Sequence, residues 1–205
     1  MMFTGLVREI ATVGAFSGEV LTIKAKYKPS LGDSVAINGA CLTVTNVMND
    51  SFSVLLSSET LNYIAYENLK GNVHIEPAMR ASDRLDGHFV QGHIDGVGTV
   101  KSLHYEKGAL HMVIDMPLKL MPLMVPKGSV AIDGISLTIN DVSSDAIRLT
   151  LIPHTLKETL LASYKVGRRV NVESDMLVRA LHHMLNQGDK KSPTWEEVEH
   201  WMHLY

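Results

Sequence analysis

The sequence predicts an all-β chain: two similar six-stranded antiparallel Greek-key barrels, followed by a C-terminal helical segment. Three observations predict it. One stretch of the chain occurs twice, both copies alternate apolar and polar residues, and the last thirty or so residues switch to a helical period. A two-domain sandwich is the second architecture that this pattern allows.

The repeat comes first because it decides the fold. Gly32–Val44 (GDSVAINGACLTV) lies over Lys127–Ile139 (KGSVAIDGISLTI), with seven of thirteen positions identical. Unrelated segments of average composition would share about one. Leu56–Leu61 matches Leu151–Leu156 at the same offset of 95, Val73–Glu76 echoes Val170–Glu173, and Gly5–Val13 matches Gly92–Val100. The repeats set the domains at 1–86 and 87–173, with 174–205 as a separate helical segment.

Within each copy, stretches such as Leu21–Ala25 and Val73–Glu76 alternate at period two, separated by Gly, Asn, Asp or Ser. That is the mark of half-buried strands. Asn38-Gly39 and Asp133-Gly134 are hairpin signals, because glycine accepts φ > 0. One helical turn per copy is expected, around Glu59–Tyr66 and Thr155–Ser163. From Ser174, Leu177, Leu181, Met184 and Leu185 recur at three- and four-residue spacing, so one helix is expected there, ending at 186–188. Pro193, Thr194 and Glu197 then start a second helix through Trp195, Val198, Trp201 and Leu204. Apolar stripes of this kind point to packing or subunit association.

Composition narrows the function. The chain has 205 residues, is 45% hydrophobic, and carries a net charge of −3 with no basic block, which disfavours nucleic acid. No apolar run approaches the ~18 residues of a membrane helix. No signal peptide is visible, and the single cysteine, Cys41, forbids an internal disulfide, so a soluble cytoplasmic protein is expected. Walker, Rossmann, HExxH and paired CxxC patterns are absent. Strand alternation puts Leu42 and Val44 on one face of their strand and Cys41, Thr43 and Thr45 on the other. In the second copy Leu137 and Ile139 face oppositely to Ser136, Thr138 and Asn140. This duplicated polar row is either a ligand surface or a solvated outer face. His88 and His93, among the glycines of 87–96, suit acid–base work better than metal binding, since no third ligand stands out. The histidines of the tail, such as His182 and His200, read as a solvated face.

Together, Met2–Val7 (MFTGLV), Asn38–Thr45 (NGACLTVT), Gly87–Gly96 (GHFVQGHIDG), Asp133–Thr138 (DGISLT) and Ile152–Leu156 (IPHTL) resemble the riboflavin synthase family, α-subunit type. The resemblance spans residues 2 to about 176. It implies a homotrimer held partly by C-terminal helices, and an association with lumazine synthase is compatible with it. It also implies dismutation of two 6,7-dimethyl-8-ribityllumazine molecules by four-carbon transfer, without metal or other cofactor, at sites between the N-barrel of one subunit and the C-barrel of a neighbour.

Carried over by residue, the first half-site comprises Gly5, Leu6 and Val7; Cys41, Leu42 and Thr43; and the loop Leu55, Leu56, Ser57, Ser58, Glu59 and Thr60. The second comprises Gly92, His93 and Ile94; Lys127; Ser136, Leu137 and Thr138; and Ile152, Pro153, His154, Thr155, Leu156 and Lys157. The resemblance gives His93 proton transfer or substrate orientation and gives Ser136 and Cys41 hydrogen bonding to, or activation of, a ring, with Asp133 and His88 in support. His154 stands where some members carry glutamate, which Glu59 keeps in the first copy. Two other classes compete: a non-catalytic lumazine- or flavin-binding protein of the lumazine-protein type, and a generic barrel that binds carbohydrate or oligonucleotide. The second is weakened by the scarcity of aromatics (6%) and the acidic balance.

Overall fold

A computed structural model describes residues 1–186. Twelve strands form two closed antiparallel barrels. The first comprises β1 (Glu9–Ser17), β2 (Val20–Lys24), β3 (Ser34–Ile37), β4 (Ala40–Val47), β5 (Ser51–Leu55) and β6 (Asn72–Pro77). The second comprises β7 (Gly96–Glu106), β8 (Ala109–Asp115), β9 (Ser129–Ile132), β10 (Ile135–Val142), β11 (Ala146–Leu151) and β12 (Arg169–Ser174). Both barrels follow one connectivity. The neighbour order β1-β2-β5-β4-β3-β6 becomes β7-β8-β11-β10-β9-β12 in the second. Bulges recur at equivalent places, at Val13/Ala15 and Val100/Ser102, and again at Val44/Asn46 and Ile139/Asp141.

Alternation does what the sequence predicts. Leu42 and Val44 are buried while Thr43 and Thr45 are exposed, and Leu137 and Ile139 are buried while Thr138 and Asn140 are exposed. Each barrel has its own core, the first around Leu21, Ile23, Phe52 and Ile75, the second around Met112, Ile114, Ile132 and Ile139. The expected helical turns are α1 (Ser58–Tyr63) and α2 (Pro153–Glu158), each followed by a short 3-10 turn. A further 3-10 segment, Leu118–Leu123, was not anticipated, because its apolar residues follow no period and Pro122 interrupts them. The C-terminal helix α3 runs Met176–Asn186 and buries none of its residues. The second tail helix expected from Pro193 lies outside the described residues. Among the described residues no helix is long and apolar enough to cross a membrane.

The barrels meet about a pseudo-twofold axis. Asn38-Gly39 and Asp133-Gly134, all four residues at positive φ, close the β3–β4 and β9–β10 hairpins and touch each other. A Cβ on Gly39 would lie 2.5 Å from the Gly134 nitrogen, so glycine is required by proximity as well as by φ. Phe3 and Val90, equivalent in the two copies, pair with each other through Phe3 N–H to Val90 O at 2.7 Å and Val90 N–H to Phe3 O at 3.1 Å.

That pairing exchanges the segments leading into each barrel. Gly5 of the first copy accepts the Ser136 N–H at 2.8 Å, and Gly92 of the second accepts the Cys41 N–H at 2.9 Å. Two buried carboxylates hold the exchanged segments. Glu76 accepts from Thr4 N–H and Oγ1, both at 2.7 Å, and from Gly5 N–H at 3.1 Å. Glu173 accepts from Gln91 N–H at 2.7 Å and Gly92 N–H at 2.9 Å.

Candidate active-site grooves

The exchange builds two grooves of like design. The first, about 220 Å³, lies beside Cys41 on β4 and is closed by Glu59, Thr60, Tyr63 and Ile64 of α1 and its cap, with Gly92, His93 and Ile94 as its rim. The second, about 290 Å³, lies beside Ser136 on β10 and is closed by His154, Thr155, Glu158 and Thr159, with Gly5, Leu6 and Val7 as its rim. Glu59, Thr60, Tyr63 and Ile64 sit 95 residues before His154, Thr155, Glu158 and Thr159. The two linings are therefore the same fold positions carrying different chemistry.

This corrects the grouping drawn from the sequence. Gly5, Leu6 and Val7 belong with Ser136, not with Cys41, and Gly92, His93 and Ile94 belong with Cys41. The reason is the Phe3–Val90 crossing, which carries each leading segment onto the other barrel.

The remaining predicted residues divide by burial. Leu42, Leu56 and Leu137 point into the barrel cores, at 4%, 0% and 9% exposure, and so line no groove. Thr43 and Thr138 sit exposed one strand turn beyond Cys41 and Ser136. Ser57 caps α1, its hydroxyl accepting Thr60 N–H at 3.1 Å, with Leu55 and Ser58 exposed beside it. Ile152 and Pro153 start α2, and Leu156 and Lys157 lie on its last turn, outside the second groove's lining. Lys127 occupies an exposed left-handed turn at φ 68°. Sequence reasoning missed Tyr63, Ile64, Glu158 and Thr159. Their signal was present, since each stands about four residues after a predicted groove residue, one turn along the same short helix.

Asp133 opens onto neither groove. It is fully buried, accepts Tyr164 OH at 2.5 Å and Asn171 N–H at 2.7 Å, and has Arg168 at 3.7 Å. Burial pushes its carboxyl up to about 6, against the pull of these donors. In the first copy Asn38 does the equivalent work, accepting His74 N–H at 2.9 Å. Asp133 thus braces its hairpin against β12 at the barrel–barrel junction.

His88 and Ser136 form a pair, with Nδ1 and Oγ 2.7 Å apart. Burial lowers the imidazole's pKa against the opposing charge of Asp175, so the ring is neutral near pH 7. Its Nε2 is buried without a partner among the described residues. In the tautomer that leaves Nε2 as a bare lone pair rather than an unpaired N–H, Nδ1 carries the proton and donates it to Ser136 Oγ. The Ser136 hydroxyl hydrogen is then free to point into the second groove. Cys41 is different: burial raises its thiol above the ordinary value, which keeps it protonated. His93 is exposed on the rim of the first groove. Among the described residues no group of His, Cys, Asp and Glu gathers as a metal-ligand set.

A larger hollow of about 530 Å³ lies between Arg8, Tyr27, Glu76 and Arg80. It lacks the polar strand row that the two grooves share.

Comparison with known proteins follows this geometry. The lumazine binding domain model matches twice, at residues 4–78 and 91–175. Riboflavin synthases from Photobacterium leiognathi and Actinobacillus pleuropneumoniae are 39% and 40% identical, covering 98% and 94% of this chain and the same shares of their own. That of Bacillus subtilis strain 168 is 35% identical, covering 92% of each. Crystal structures of LumP with riboflavin and with 6,7-dimethyl-8-(1'-D-ribityl) lumazine superpose at TM-scores of 0.75 and 0.73, each covering 84% of this chain and 99% of LumP. At 22% and 24% identity these two speak for the fold.

Proposed function

The chain belongs to the riboflavin synthase family, and from that premise we propose that each groove holds one lumazine and that paired grooves carry out the reaction. The activity is that of a transferase. One 6,7-dimethyl-8-ribityllumazine gives a four-carbon unit to a second, producing riboflavin and 5-amino-6-ribitylaminouracil. Atoms balance between the two substrates, so the protein supplies binding, alignment and proton movement.

The observation that carries the reading is the duplicated groove inside a chain related to synthases over nearly its whole length. A reaction between two copies of one molecule needs two similar half-sites. Holding both rings in register makes the encounter intramolecular, worth up to ~7–11 kcal/mol in favourable cases. Within one chain the two grooves share no lining residue. We therefore place the working site between the first groove of one copy and the second groove of another, in a homotrimer. The exposed apolar face of α3 supports association: Leu177, Leu181, Met184 and Leu185 are all more than half exposed. The lone, half-buried cysteine is in keeping with a cytoplasmic setting.

Chemically, the lumazine bearing the more acidic C7 methyl loses a proton to become the carbon nucleophile. His93 and Glu59 at the first groove are the groups placed to move that proton. In the second groove Ser136, held by neutral His88, donates its hydroxyl hydrogen to the ring that accepts the new bond.

The test is direct. Purified protein is mixed with 6,7-dimethyl-8-ribityllumazine, and riboflavin absorbance is followed with product chromatography. Two lumazines consumed per riboflavin, with one pyrimidinedione formed, is the expected result. The LumP likeness favours a second reading, a lumazine carrier without chemistry. Stoichiometric binding without turnover would establish that one instead.

A further inference from the structure

We propose that Arg179 is a positioning residue for the first groove, reaching in from α3 to strap the two residues that bracket Gly92, His93 and Ile94. Its Nη1 donates to Asp95 Oδ1 at 2.6 Å and Oδ2 at 2.7 Å, and its Nη2 donates to Gln91 Oε1 at 2.7 Å. The pair is largely shielded, with side-chain exposures of 28% for Arg179 and 18% for Asp95. Asp95 Oδ2 also accepts Ser174 N–H at 2.8 Å and Oγ at 2.7 Å, which anchors the strap to the end of β12. Three donors on one carboxylate, one of them a cationic nitrogen that bridges both oxygens, make a strong fixture.

The segment needs such a fixture. His93 is exposed and its side chain makes no hydrogen bond among the described residues, so its place depends on the backbone that carries it. That backbone is gripped from below by Glu173, through Gln91 and Gly92 N–H, and from the side by Arg179. The first copy has only half of this arrangement. Glu76 grips Thr4 and Gly5, but Arg8 stands where the second copy has Asp95, no helix follows β6, and the 530 Å³ hollow lies alongside. The strap therefore serves one groove of the two and ties that groove to the helix with the exposed apolar face. The inference rests on the reading that the first groove binds a lumazine.

Arg179→Ala, Arg179→Lys and Gln91→Ala are made in the full chain. For each, kcat and KM for 6,7-dimethyl-8-ribityllumazine, the riboflavin Kd by fluorescence quenching, and the thermal midpoint are measured. A Thr155→Trp background, which fills the second groove, makes the riboflavin titration report the first alone. Gln91→Ala, which loses one charge-assisted hydrogen bond, is expected to raise KM and riboflavin Kd on the order of tenfold, and Arg179→Ala, which loses the Asp95 contacts as well, at least as much. Arg179→Lys, which keeps the Asp95 pair and loses the bridge to Gln91, should match Gln91→Ala. Gln91→Ala should raise both constants with the midpoint nearly unmoved, since the Arg179–Asp95 pair remains. Wild-type KM and Kd in Gln91→Ala and Arg179→Ala, with only a smaller active fraction, would reduce Arg179 to a structural tie and overturn the proposal. A wild-type protein that neither binds riboflavin nor converts lumazine would overturn the functional reading and this proposal with it.

Discussion

Replacing Gly5 by alanine should be among the most damaging single-methyl additions to this chain. Gly5 sits at φ +76°, where an L side chain costs about 1–2 kcal/mol. A Cβ there would also lie 2.6 Å from Ser136 Cβ and 2.8 Å from the Ser136 nitrogen. Neither atom is the movable end of a flexible side chain, so strand β10 or the segment itself must shift, an overpacking cost of about 1–3 kcal/mol. Together these give roughly 2–5 kcal/mol. Gly18 is the internal control: its φ is +58°, but no atom lies within 4 Å of its would-be Cβ, so Gly18→Ala should cost only the conformational part, about 1–2 kcal/mol. Urea unfolding of the two variants, compared at equal m, measures the difference. Gly5→Ala should also depress kcat more than its stability loss explains, because the shift displaces Ser136 from the second groove. Equal losses in the two variants would refute the close approach, and with it the exchange of leading segments.

Other expectations follow from the same geometry. Ser136→Ala and His88→Gln should each lower kcat by on the order of 10–100-fold with smaller changes in KM, as steady-state kinetics would report, because the hydroxyl acts on the reacting ring. Asp133→Asn, which copies the Asn38 arrangement, should keep turnover and alter the pH dependence of stability. Asp133 is raised to about 6, so its stability contribution is present in full below its unfolded pKa near 4 and fades as pH rises through 6. Thermal midpoints of the variant should therefore gain on wild type at pH 8 relative to pH 5. His74 acts in the opposite sense: burial lowers it to about 4, so its contribution is lost as pH falls from 6.5 towards 4, and that limb should survive in the variant. Leu181→Glu, on the exposed face of α3, should convert the associated protein to single chains in light scattering while leaving the barrels' circular dichroism intact.

Much of the fold is legible in the sequence because both signals behind it are local. A thirteen-residue self-match places β3, β4, β9 and β10, and period-two alternation puts Cys41 and Ser136 on the outer face with Leu42 and Leu137 inside. The short helix α1 follows from its Ser57 cap, and α2 from Pro153 at its first position. The crossing of Gly5–Val7 and Gly92–Ile94 does not show, since each segment looks the same whichever barrel it rests on, and Phe3 and Val90 become partners only once both barrels exist. Asp133 reads as an ordinary turn aspartate in a DG dipeptide. Its burial comes from Tyr164 and Arg168, which lie thirty and more residues away. Arg179 carries no motif at all, and its meaning is set by Gln91 and Asp95 across the chain.

The exchanged segments also set a timetable for synthesis. Residues Gly5–Val7 leave the ribosome well before their resting place beside Ser136, which emerges about 130 residues later. At about 5–20 residues per second that is a wait of roughly 7–26 s. The first barrel can close by Pro77, with Glu76 already holding Thr4 and Gly5, but its groove gains a rim only when Ile94 appears. The second groove is finished as soon as α2 follows β11, since its rim has already been made. Arg179 arrives last of all and locks the first groove after the second is already complete.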